Sequence, residues 1–96
     1  MNDILIVDDE KDIRDLIAEI LKDEGFKVRV AGNSEDCLKE IDSKPPAVLL
    51  LDIWLKDSEM DGIDILKATK RNNPDIPILI ISGHGNIEIA VAAIKQ

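Results

Sequence analysis

Ile4-Leu5-Ile6-Val7-Asp8-Asp9-Glu10 is a continuous aliphatic run that stops at three acids. Four such residues in a row, rich in β-branched types, read as a short strand buried on both faces. The same design returns at Ala47-Val48-Leu49-Leu50-Leu51, halted by Asp52, and at Ile78-Leu79-Ile80-Ile81, closed by Ser82-Gly83. Phe26 to Val30 differs: Phe26, Val28 and Val30 alternate with Lys27 and Arg29, which suits an edge strand.

Between these runs the period lengthens. Ile13, Leu16, Ile17, Ile20 and Leu21 make a helical stripe, and Gly25 supplies its stop. Asn33 or Ser34 caps a second helix with a thin apolar face, Cys37, Leu38 and Ile41, ending before Pro45-Pro46. A polar loop runs from about Ile53 to Asp61. The helix after Gly62 uses Ile63, Leu66 and Ala68 or Thr69, and ends near Asn72-Asn73-Pro74. Asn86 caps a last helix with Ile87, Ala90, Val91 and Ile94 at helical spacing. Strands alternating with helices, three of the strands apolar on both faces, imply an α/β fold with a parallel sheet covered on both sides.

The chain has 96 residues, room for one domain. Its 45% apolar content is that of a folded domain, and with one Phe and one Trp the core must be aliphatic. A net charge of −8 repels phosphate backbones and anionic membranes, so direct nucleic-acid contact is not expected. Cys37 alone makes neither an internal disulfide nor a zinc site, which fits a reducing, cytoplasmic compartment. No apolar run approaches the roughly 20 residues that span a bilayer, and the N-terminus does not read as a signal peptide.

Polar residues end three apolar strands: Asp8-Asp9, Asp52 and Ser82. In an open parallel sheet, ligands bind at those ends, near a switch in strand order. With the first strand central, Asp8, Asp9 and Asp52 converge, and three crowded carboxylates call for a cation. Oxygen ligands with room for water suit Mg²⁺. A carboxylate facing Mg²⁺ is also a nucleophile toward phosphorus, and Ser82 can donate its hydroxyl to a phosphoryl oxygen. Each piece has a plainer reading. Acids after a strand favour a helix start, Asp52 suits a solvated strand end, and Ser-Gly suits a turn. Their coincidence at one end of consecutive parallel strands favours a site.

On Ile-Leu-Ile-Val-Asp8-Asp9-Glu, Leu-Leu-Leu-Asp52, Asp61-Gly62 and Ile-Leu-Ile-Ile-Ser82-Gly, the whole chain resembles the receiver domain of two-component response regulators. The run Ser82-Gly-His-Gly-Asn-Ile-Glu and the later Ala-Val-Ala-Ala-Ile-Lys are similar to the nitrogen-regulation type of sigma-54-dependent transcription regulators. The loop after Asp52 resembles their NtrX branch. The resemblance implies a flavodoxin-like, CheY-like doubly wound sheet of order 2-1-3-4. It implies Asp52 as phosphoacceptor, served by a sensor histidine kinase, and Asp9 as the main direct Mg²⁺ ligand. Asp8 would act directly or through water, with the Trp54 backbone carbonyl as a further ligand. Ser82 would be the switch hydroxyl, and Trp54 and His84 would flank the site.

Two departures stand out. The loop after Asp52 carries Leu55-Lys56 where the family has Met-Pro, and it is longer. The family's fifth strand, with its terminal Lys, and fifth helix are not reached by Gln96. Residues 1–96 therefore read as a receiver domain truncated before the fifth strand. An all-apolar fourth strand left as an edge leads to the expectation of a homo-oligomer, a dimer, for this chain. His84 on its own is otherwise an exposed loop residue, and Cys37 a small helix-face residue. Two rivals remain: a scaffold that keeps the fold without phosphorylation, and an aspartate-nucleophile phosphatase. The latter places a second Asp two residues past the nucleophile, where this chain has Trp54.

Overall fold

The computed structural model describes residues 3–52 and 62–81. The elements run β1 (Asp3–Val7), α1 (Lys11–Asp23), β2 (Lys27–Ala31), α2 (Ser34–Ser43), β3 (Val48–Asp52), α3 (Gly62–Asn72) and β4 (Ile78–Ile81). All strand pairs are parallel and the order is β2-β1-β3-β4, the doubly wound arrangement expected. The expected loop from Ile53 to Asp61 and the helix from Asn86 lie outside the described residues.

The apolar runs of β1 and β3 form strands because both their faces are covered; β4 is less buried than its sequence suggests, with Ile78 and Leu79 partly buried and Ile80 exposed. Leu5, Val7, Leu49 and Leu51 pack with Cys37 and Ile41 of α2 and Ile65 of α3. Ile4, Ile6 and Leu50 pack on the other side with Ile17, Ala18 and Leu21 of α1. Every residue of β1 is buried, as its central place requires. Cys37 is fully buried, and loss of solvation pushes its thiol up to about 12, so it behaves as a core residue.

Gly25 ends α1 as expected. Its φ is +96°, its N–H donates to Lys22 O, and the Phe26 N–H reaches back to Leu21 O. This is the paired bonding of a Schellman stop, with Phe26 folded onto the α1 cluster. At α2 the cap is Asn33, whose side chain accepts from the Asp36 N–H at 2.8 Å.

Other details depart from the sequence reading. β2 begins at Lys27, because Phe26 serves the Schellman stop. β3 is shifted by one residue and includes Asp52, so the acid is part of the sheet ladder. Leu16 is 46% exposed, because α1 is rolled toward Ala18, whose small side chain lets the helix approach the sheet. Along β2, Val28 joins the α1 cluster but Val30 lies outside it and is exposed, while Arg29 is half-buried.

Arg29 reaches across the sheet beneath α2. Nε and Nη2 donate to the two carboxylate oxygens of Asp3 at 3.1 and 2.6 Å, a bidentate pair. Nη1 donates to Glu40 O at 2.9 Å and Nη2 to Lys44 O at 2.7 Å, so the cation also satisfies carbonyls at the α2 C-terminus. Burial by itself lowers the arginine pKa, but the hydrogen bond and charge of Asp3, joined by Glu40, leave it raised.

Candidate functional site

The register places the site. Val7 of β1 is level with Ala31 of β2 and Leu51 of β3, so Asp8 emerges beside Asp52 at the C-terminal edge of the sheet. Asp9 follows before α1 begins. The ligand oxygens of Asp8, Asp9 and Asp52 all lie within 4.8 Å of one another. Asp8 and Asp52 are buried and Asp9 is half-buried. Two full charges at that separation repel by about 3 kcal/mol at an effective dielectric near 20.

The backbone holds this crowding in place. The Asp8 N–H donates to Ala31 O at 3.1 Å, extending the β1–β2 ladder by one bond. Asp8 Oδ1 accepts from the Glu10 N–H at 2.9 Å, which turns the chain into α1. The Asp8 carbonyl accepts from Arg14 Nη1 at 3.0 Å. That arginine was not anticipated; the only sequence signal for it is a cation in the first helical turn after an acidic pair. The donor set is all oxygen, largely buried and offers fewer than six ligands. It fits a small hard cation that keeps some of its water.

Of the expected site residues, the structure brings together Asp8, Asp9 and Asp52. Trp54, Ser82 and His84 lie outside the described residues. Among the described residues no helix is long and apolar enough to cross a membrane.

A parallel sheet of this order with an acidic cluster at its strand ends is the architecture of receiver-type signalling domains, and the comparisons agree. Residues 4–96 match the response regulator receiver domain family, and the chain belongs to it. Its relatives narrow the branch. The nitrogen assimilation regulatory protein NtrX of Azorhizobium caulinodans is 53% identical over 95 residues, 99% of this chain and 21% of that protein. An NtrX-like response regulator of Rickettsia bellii is 59% identical over 94 residues, 98% of this chain and 20% of the relative. The crystal structure of the receiver domain of NtrX from Brucella abortus superposes with a TM-score of 0.82 at 50% identity. It covers 96% of this chain and 77% of that one. The chain thus spans about a fifth of the length of these two relatives.

Proposed function

We propose that this domain is a phosphoacceptor switch in a cytoplasmic two-component regulator of the NtrX type. The observation that carries it is the convergence of Asp8, Asp9 and Asp52 within 4.8 Å at the C-terminal edge of the sheet. Asp52 is the nucleophile: a carboxylate oxygen attacks the phosphorus of a phosphohistidine on a sensor kinase. The new O–P bond forms as the P–N bond breaks, and the imidazole leaves with the electron pair. Asp9, Asp8 and Asp52, with the Trp54 carbonyl, would hold Mg²⁺. When bound it neutralises charge on the crowded carboxylates and on the transferred oxygens. Ser82 donates its hydroxyl to the phosphoryl group and passes the change to the segment after it, and His84 and Trp54 govern access of water. The output is transcriptional, and this acidic segment takes no direct part in DNA contact.

The metal half of this reading has its own test. Mg²⁺ at ten times its dissociation constant should stabilise the domain by about 1.4 kcal/mol. For a domain this size that raises the melting temperature by about 4–8 °C per kcal/mol. Asp9→Ala should lose most of that rise, though without metal it should be as stable as the wild type or more so, since one of three like charges is gone. An Asp9→Ala variant that responds to Mg²⁺ like the wild type removes Asp9 from the ligand set. A scaffold without phosphorylation would show neither the Mg²⁺ response nor labelling at Asp52.

The reading extends to assembly. Among the described residues, β4 is paired only with β3, carries no charge, and leaves Ile80 46% exposed. Such an edge templates pairing with a second copy, and we expect the 96-residue chain to form dimers. Light scattering behind a sizing column at tens of micromolar decides this, and a cooperatively melting monomer refutes it.

A further inference from the structure

Arg14 and Gly32 come from different elements and meet beside the acidic site. Arg14 lies in the first turn of α1, and its Nη1 donates to the Asp8 carbonyl at 3.0 Å. Gly32 follows the last residue of β2, whose carbonyl receives the Asp8 N–H. A Cβ at position 32 would stand 2.8 Å from Arg14 Nη1 and 3.6 Å from its Cζ. The guanidinium therefore lies against a notch that only glycine leaves. Gly32 does not have the left-handed φ of Gly25, so the steric need is the arginine and not the backbone. Arg14 Nε is buried with no hydrogen-bond partner, so the side chain is held here at a cost and not by a saturated network of its own.

We propose that Arg14 is a positioning residue of the acidic site: seated on Gly32, it fixes the Asp8–Asp9 peptide that turns both carboxylates toward Asp52. This rests on reading the three aspartates as a metal site. With Arg14 in place, the Asp8 N–H, carbonyl and Oδ1 each have a partner, from β2, α1 and the Glu10 N–H. Without it, the Asp8 carbonyl loses this contact and the peptide can rotate.

The test uses the full chain with Gly32→Ala, Arg14→Met and the double variant. NMR follows amide exchange at Asp8 and Glu10 in metal-free protein, then the shift response to Mg²⁺. Gly32→Ala keeps every charge but displaces the guanidinium. It should speed both amides at least severalfold and weaken Mg²⁺ binding about tenfold, as loss of an outer-shell contact does. Arg14→Met should do the same, and the double variant should be no worse than Arg14→Met. The sign is diagnostic, because deleting a cation beside a metal site tightens Mg²⁺ by charge alone. Tighter binding in Arg14→Met, wild-type behaviour in Gly32→Ala, or additive losses in the double variant would each overturn the proposal. If the wild type binds no Mg²⁺ but the exchange rates change as stated, the positioning role stands and the metal reading falls.

Discussion

Asp52→Asn is expected to abolish phosphorylation while leaving the domain folded. With acetyl phosphate and Mg²⁺, the wild type should gain one phosphoryl group by intact mass, and the Asn variant none. The amide that replaces the carboxylate is isosteric but is no nucleophile toward phosphorus, and the covalent route is lost outright. Folding should not suffer. Asp52 ends β3, whose pairing with β4 runs through the backbone, and Asn removes one of three mutually repelling charges. Melting temperature without metal should therefore equal or exceed that of the wild type. Equal labelling of the Asn variant would take Asp52 out of the mechanism. A variant that fails to fold would show that its carboxylate is structural.

Arg29→Ala should be among the more damaging changes of a charged residue to stability within the described residues. It strands the carboxylate of Asp3, whose side chain is only 9% exposed, and takes donors from Glu40 O and Lys44 O. Breaking a buried pair from one side costs 3–5 kcal/mol; with the arginine side chain 23% exposed, about 2–4 kcal/mol is expected. That corresponds to a fall of roughly 10–30 °C in melting temperature for a domain of this size. Glu40→Gln makes the contrast, because that contact is 3.3 Å long and Glu40 is 38% exposed, so the loss should stay under about 1 kcal/mol. Adding Asp3→Asn to Arg29→Ala should recover part of the loss by removing the stranded charge. Urea unfolding at one fixed protein concentration compares these variants. A loss below about 1 kcal/mol for Arg29→Ala would mean that Asp3 finds another partner or water.

The contrast between Ile4–Val7 and Arg29 shows what a single sequence reveals. A strand covered on both faces writes its burial into consecutive residues, so β1 and β3 were legible to within a residue, and β4 was legible in extent though not in burial. Their polar ends were legible as a site because parallel register brings strand ends to one edge. Arg29 carries no such mark, because its partner Asp3 is 26 residues away. An ion pair at that distance leaves no local pattern. Leu16 failed for a related reason: a stripe of five apolar positions is wider than the line of contact, and Ala18 decided which part turned inward. Arg14 on Gly32 is likewise a contact between elements, with no periodicity to announce it.

The central place of β1 also sets an order of events as the chain is made. Ile4 pairs with Val28 on one side and with Val48 on the other. The first partner leaves the ribosome about 20 residues ahead of the second, a lead of about 1–4 s at ordinary synthesis rates. During that interval β1, α1 and β2 are complete but one long apolar edge of β1 has no neighbour. The nascent chain must keep that edge from others, and the acids that follow it, Asp8, Asp9 and Glu10, act as gatekeepers against its aggregation. When β3 docks, it brings Asp52 up to those acids, so the charges that guard the newborn strand are the ones that later crowd the finished site.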